Sequence, residues 1–157
     1  MPEAQLLAEL AAALPEGVRE AHPEGEAWAL VDRSCLLEAC RHLKAAGMNF
    51  LADLTAVDYP ERTPRFEVVY HLLAIPQGWR LRLKVPVEEA SAEVDSVATV
   101  WKAAPWAERE VFDMFGIRFA GHPDLKRILL PDEWEDHPLR KDFPLTGKKP
   151  AEEASRG

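Results

Sequence analysis

The chain has 157 residues, 47% of them apolar and 29% charged, which bounds it to one ordinary globular domain with material for a core. A formal charge of −8 at neutral pH excludes a general binder of nucleic acid or anionic membrane, because phosphates would be repelled. No apolar run is long enough to cross a bilayer, and the opening residues, with Glu3 and Glu9 and no basic leader, do not read as a secretory signal.

Residues 3 to 14 have the spacing of a helix: Leu6, Leu7, Leu10, Ala13 and Leu14 form one stripe, and Pro15-Glu16-Gly17 stops it. A loop through Pro23 and Gly25 leads to Ala27–Val31, the first expected strand. Asp32 or Ser34 is placed to cap a helix over 34 to 46, with Leu36, Leu37, Cys40 and Leu43 inward and Gly47 as the left-handed residue after it. Cys35 and Cys40, five apart on that helix, point about 140° away from each other and make a poor metal or disulfide pair; reduced, partly buried thiols are the simpler reading.

Three strands follow. Asn49–Val57 is apolar on both parities, which suits a buried strand, and Asp58 to Arg65, with Pro60 and Pro64, reads as a turn. Phe66–Ile75 is rich in Val, Tyr and Leu. After Pro76-Gln77-Gly78, Arg80–Val85 alternates strictly: Leu81, Leu83 and Val85 on one face, Arg80, Arg82 and Lys84 on the other. That is a half-exposed antiparallel strand, and its basic face reads as solvated surface. Glu88 to Asp95 is acidic and reads as a loop or a frayed turn, and Val97, Val100 and Trp101 anchor the chain again. The fold class is therefore α+β, helices on one face of a mostly antiparallel sheet. A last helix runs from Ala104 to Phe115, with Pro105 in its first turn and Gly116 behind it; Ala107, Val111, Met114 and Phe115 form its apolar stripe. Ile117–Phe119 can add an edge strand.

The segment from Trp106 to Leu145 is the most unusual part of the chain. Beyond the helix it becomes an extended arm punctuated by Pro123, Pro131, Pro138 and Pro144, suited to lie along another protein. The arm echoes itself: His122-Pro123-Asp124-Leu125-Lys126-Arg127 and His137-Pro138-Leu139-Arg140-Lys141-Asp142 each join a His-Pro step to a leucine and two basic residues. The expected division is an α+β domain over 1–120, an arm over 121–147 belonging to the same unit, and a disordered polar tail over 148–157.

Little here suggests chemistry. His122 and His137 match no zinc spacing and read as turn or interface histidines. Glu108, Glu110 and Asp113 could act as acid and base, but no nucleophile accompanies them; binding arginines is the simpler role, and Arg109 can pair with Asp113 four residues on. Trp106 and Trp134 read as buried core or interface anchors. The residues alone give an α+β domain with a docking arm and no active site of its own.

At these residues the chain resembles a known family. Glu108-Arg109-Glu110-Val111-Phe112-Asp113-Met114-Phe115-Gly116-Ile117, then Gly121-His122-Pro123-Asp124-Leu125, Arg127-Ile128-Leu129, Pro131, Trp134 and His137-Pro138-Leu139-Arg140-Lys141-Asp142-Phe143-Pro144-Leu145 are similar to the 30 kDa subunit family of respiratory complex I, a component of bacterial NADH-quinone oxidoreductase. Leu51 to Tyr59 also looks like that family's strand. The resemblance implies a peripheral subunit of a proton-pumping NADH:quinone oxidoreductase, on the cytoplasmic face of the cell membrane. It implies that this chain binds no cofactor, with FMN, iron–sulfur clusters and quinone in neighbouring subunits. The implied partners are the 49 kDa-type subunit and the terminal-cluster subunit of the same complex. The expected partner-binding residues are Glu108, Arg109, Glu110, Asp113, His122, Asp124, Arg127, His137, Arg140, Lys141 and Asp142. Truncating Arg140 is expected to weaken assembly and leave the isolated domain folded. The equivalent subunit of a membrane-bound hydrogenase or of a ferredoxin- or F420-linked complex, and a free-standing binding module, are the alternatives.

Overall fold

A computed structural model describes residues 2–127 and 137–141. Three helices and seven strands follow in the order α1 (Pro2–Ala13), β1 (Val18–His22), β2 (Trp28–Val31), α2 (Leu36–Ala45), β3 (Phe50–Asp58), β4 (Phe66–Leu73), β5 (Arg80–Val87), β6 (Glu93–Asp95), α3 (Ala104–Phe115) and β7 (Arg118–Ala120). The first five strands form a sheet in the order β1-β2-β5-β4-β3, in which only β2 and β5 run parallel. One sheet face, with Ala29, Val31, Leu54, Val68, Tyr70, Leu72, Leu83 and Val85, packs with Leu6, Leu7 and Leu10 of α1 and Leu36, Ala39, Cys40 and Leu43 of α2 in one core. This is the expected α+β arrangement, with corrections that have physical causes.

Strand β1 carried no sequence signal, because Val-Arg-Glu-Ala-His is an exposed edge with no apolar alternation. It pairs with β2 in a hairpin where a loop was expected. Strand β3 is apolar on both parities because the register shifts between Leu51 and Asp53; that bulge lets both Leu51 and Leu54 face inward. Helix α2 starts later than expected. Asp32 does cap, accepting from the Ser34 amide at 3.0 Å, but what it caps is a 3₁₀ turn over Arg33–Cys35. Hydrogen bonds from the Ser34 amide and hydroxyl and from Arg19 hold its carboxyl below the usual range. Leu37 is only partly buried, and Ala39 takes its expected inward place.

Glu88 to Asp95 is not a plain loop: Glu93–Asp95 pairs in parallel with Arg118–Ala120, burying Val94 and Phe119. Helix α3 bridges those two strands. Its bounds are those expected, and Gly116 follows it in the left-handed region at φ 78°, its amide bonded to the Phe112 carbonyl. Trp101 anchors the approach through its indole N–H to the Met48 carbonyl at 3.0 Å. Trp106 is not buried: it is 62% exposed. Trp134, Asp142 and the tail lie outside the described residues.

Candidate functional site at the end of helix α3

An α-helix leaves its last four carbonyls without partners inside the helix. In α3 each of these is taken. Phe112 accepts from the Gly116 amide, as above. The Asp113 carbonyl accepts from His137 Nδ1 at 3.1 Å and from Arg127 at 3.3 Å. The Met114 carbonyl accepts from the Leu139 amide at 3.1 Å, and the Phe115 carbonyl accepts from Arg140 Nε at 2.6 Å. The arm residues His137–Arg140 thus form the cap of α3, with Arg127 and Arg140 supplying cations where the helix dipole is negative. Gly116 makes the fit possible. A Cβ there would stand 2.7 Å from His137 Nε2 and 2.9 Å from Arg140 Nη2, besides forcing a side chain into left-handed backbone.

The two echoed segments bracket the helix. His122 Nε2 bonds the Pro105 carbonyl at the α3 start at 2.7 Å, and its Nδ1 accepts from the Asp124 amide at 2.9 Å, a pattern the Nε2–H tautomer satisfies. His137 does the corresponding work at the far end. Burial, joined by the charges of Arg140 and Arg127, holds the His137 imidazole below its usual pKa, against the pull of its bond to Asp113. It is therefore neutral at pH 7 and donates through Nδ1.

Asp113 is fully buried and its carboxylate meets Arg127 at 2.8 Å. The expected helical pair with Arg109 gives way to this contact. Arg109 instead donates to the carbonyls of Lys126 and Arg127 at 3.1 and 3.2 Å, tying the first echo to the helix flank. Its guanidinium also lies 5.3 Å from the Trp106 ring.

The arm lands on a second anchor that sequence reasoning did not single out. Asp58 ends β3 with only 3% exposure. Its oxygens take Arg65 Nε at 2.6 Å and Nη2 at 2.8 Å, and Oδ2 also accepts the Lys141 amide at 2.6 Å. Arg65 reaches on to Glu89 at 2.9 Å. The guanidiniums of Arg65 and Arg140 lie 5.2 and 5.1 Å from the Phe66 ring. Burial alone would raise the Asp58 carboxyl. The bonds from Arg65 and the Lys141 amide, with the charges of Arg65 and Arg140, outweigh it and hold the group below its usual pKa. The signal was available: Asp58 has the parity of the buried Leu54 and Ala56, so its carboxylate had to point inward and find a cation.

Glu108 departs from the expectation that these carboxylates bind arginines. It is fully buried, on the line Ala104, Glu108, Val111, Phe115 that faces the core. Among the described residues no arginine meets it; it accepts from the Ser96 hydroxyl at 2.6 Å and the Val97 amide at 2.8 Å, pinning the chain after β6 to the helix. Burial pushes its carboxyl above the usual range, against those two bonds and the His122 charge. Glu110 remains exposed, as does Asp124, which stands 3.5 Å from Lys126. Of the expected site residues, the structure thus brings Arg109, Asp113, His122, Arg127, His137 and Arg140 together around α3, ties the Lys141 amide to Asp58 at the end of β3 with its side chain exposed, sets Glu108 on the inner side of the helix, and leaves Glu110 and Asp124 outward. Asp142 lies outside the described residues. Among the described residues no group of three or more His, Cys, Asp or Glu could hold a metal, and no helix is long and apolar enough to cross a membrane. Cys40 is buried, which pushes its thiol well above its usual pKa, and Cys35 is partly buried; both are free thiols.

The family model described as "Respiratory-chain NADH dehydrogenase, 30 Kd subunit" matches residues 29–149, from β2 through the arm. The NADH-quinone oxidoreductase C subunit of Citrifermentans bemidjiense is 50% identical over 124 residues, covering 78% of this chain and 77% of the relative. The C subunit of the same enzyme from Roseiflexus sp. (strain RS-1) is 44% identical over 155 residues, covering 96% and 89%. Among solved structures, a trypsin-resistant fragment (1-134) of Nqo5 superposes with a TM-score of 0.70 at 37% identity, covering 80% of this chain and all of that one. A chain of the membrane-bound sulfane sulfur reductase, an archaeal respiratory membrane complex, gives a TM-score of 0.78 at 25% identity, covering 92% and 87%. The chain belongs to the family of the 30 kDa subunit of respiratory-chain NADH dehydrogenase.

Proposed function

We propose that the chain is a non-redox subunit of an NADH:quinone oxidoreductase, acting by holding its neighbours in position. Family membership across β2, the sheet, α3 and the arm carries this reading. The internal geometry supports it: among the described residues, Arg109, Asp113, His122, Arg127, His137 and Arg140 are occupied in fixing α3 against 122–127 and 137–140, which is what a scaffold needs. Electron transfer and quinone access depend on fixed distances between cofactors, so a rigid subunit that binds none of them contributes through position. In this reading the flavin, clusters and quinone belong to neighbouring subunits, the partners are the 49 kDa-type and terminal-cluster subunits, and the chain is peripheral on the cytoplasmic face. The outward side chains in reach of those partners include Trp106, Glu110, Asp124, Leu139 and Lys141.

The likeness to the sulfane sulfur reductase chain favours one second reading, the equivalent subunit of a membrane complex fed by another electron donor. One experiment separates the two. The chain is tagged at Met1, recovered from membranes in mild detergent, and its companions are identified alongside an NADH:quinone assay. A flavin- and cluster-containing assembly that oxidises NADH is the expected result. Companions without an NADH-oxidising subunit would favour the second reading, and a lone chain would defeat both.

A further inference from the structure

The face of the sheet turned away from α1 and α2 has an ordered charge pattern that nothing above uses. Cross-strand pairing sets it out in rows. One row runs His22, Trp28, Arg82, His71, Asp53 across all five strands, and the next runs Glu20, Leu30, Lys84, Val69, Thr55. The cations sit on the central strand: Arg80, Arg82 and Lys84 alternate along β5. The carboxylates sit on the edges, Glu20 on β1 and Asp53 on β3. Glu67, on β4, is only 6% exposed and lies 3.8 Å from Arg62.

Between the cations the face is apolar. Trp28 and Leu30 are half-buried, and Val69 is only 6% exposed. Trp28 is held rigidly, stacked on His22 with ring centroids 4.1 Å apart and with Lys84 Nζ 4.0 Å over its face. Arg82 shares Glu26 at 2.7 Å, a carboxylate that is itself 82% exposed, and its Nε is buried without a partner. Among the described residues no carboxylate pairs with Lys84 or with the Arg80 side chain. A basic centre with an acidic edge, on a chain whose net charge is −8, is complementary to a surface with carboxylates at its middle.

The geometry points to this open sheet face as a docking surface for a neighbouring subunit that presents carboxylates at its middle with apolar side chains beside them, with Lys84 and Arg80 as the ionic contacts and Trp28 and Leu30 as the apolar ones. The inference rests on the proposed function, since it takes the occupant to be a subunit of the same assembly. It adds a surface distinct from α3 and the arm.

The test is zero-length carbodiimide coupling of the detergent-solubilised assembly, read by peptide mass spectrometry. Lys84 is expected to join an Asp or Glu of another subunit. Lys84→Arg keeps the charge and should lose the cross-link while the assembly is retained. Arg80→Glu with Lys84→Glu should lower recovery of the chain in the assembly at least tenfold while the isolated chain still shows a cooperative melting transition. A Lys84 that couples only within its own chain, or that an amine reagent acetylates equally in the isolated chain and in the assembly, would overturn the inference and leave the proposed function standing. Failure of the wild-type chain to recover any assembly would overturn both.

Discussion

Asp58 and Glu108 are both buried carboxylates, and the molecule treats them in opposite ways. Asp58 lies at the sheet end, gripped by a two-pronged arginine, and its charge is favoured. Glu108 lies under α3, answered only by a hydroxyl and an amide, and its charge is disfavoured. Glu108 is the more deeply buried of the two, and it lacks the counter-charge that Asp58 has. An ion pair satisfies a buried carboxylate and makes it an anchor to which the arm can be tied. Two neutral donors satisfy its geometry but leave it easily protonated.

The largest effect should come from breaking the paired side. Asp58→Ala takes the two-pronged carboxylate away from Arg65, whose side chain is 10% exposed and which keeps Glu89, and takes the acceptor from the Lys141 amide; a loss of about 3 kcal/mol is expected from the urea midpoint at constant m. Replacing both partners, Asp58→Leu with Arg65→Met, should recover most of it. Equal losses in the single and double variants would show that the pairing account is wrong. Next comes the seat of the arm. Gly116→Ala should cost about 2 kcal/mol through backbone strain and collision with His137 and Arg140. His137→Ala in that background should relieve part of the collision, and no relief would place the cost in the backbone alone.

Arg140→Ala removes a charged donor from the Phe115 carbonyl, so about 1.5 kcal/mol should be lost even in the isolated chain. That sharpens the expectation that the isolated domain stays folded: it still folds, at a lower melting temperature. Smaller again is the unpaired side, read by pH. The Glu108 pKa is raised in the folded state, so its stabilising contribution is full below about 4.5, the ordinary glutamate value, and lost as pH rises through the folded pKa. Glu108→Gln should therefore raise the melting temperature at pH 8 and change little at pH 4. The Asp58 pKa is lowered, so its contribution is present above 3.8 and lost as pH falls through the folded value. A Glu108→Gln chain less stable at pH 8 than the wild type would reverse the assignment. The smallest effect is expected at Trp106, 62% exposed: Trp106→Ala should shift the isolated chain by less than about 0.5 kcal/mol. A larger shift would mean the ring supports the fold from within.

Strong periodicity was legible. The bounds of α3, the core face of α2 at Leu36, Cys40 and Leu43, and the alternation along β5 all follow from spacing. Strand β1 and the pairing of β6 with β7 were not legible, because short exposed strands are made by backbone pairing that leaves no side-chain pattern. At the candidate site the residues were legible and their partners were not. The arm read as unusual from its prolines and its echo, but that His137 and Arg140 turn back onto their own helix depends on contacts made far along the chain. Glu108 and Asp58 are misread when charge is taken as a sign of exposure; stripe and parity put both inside.

The bond between the Lys141 amide and Asp58 joins residues 83 apart in sequence, and Arg140 meets Phe115 across 25. These contacts set an order of events during synthesis. The sheet and α3 can leave the ribosome and begin to pack while the helix still lacks its cap. The carbonyls of Met114 and Phe115 face water until residues 139 and 140 have emerged. Closing the longer loop is entropically inexpensive, since each doubling of loop length adds only about 0.6 kcal/mol, but it comes last. The final turn of α3 therefore depends on completion of the arm: a nascent or prematurely ended chain presents an uncapped helix end, and a chain that extends through residue 140 presents the capped one.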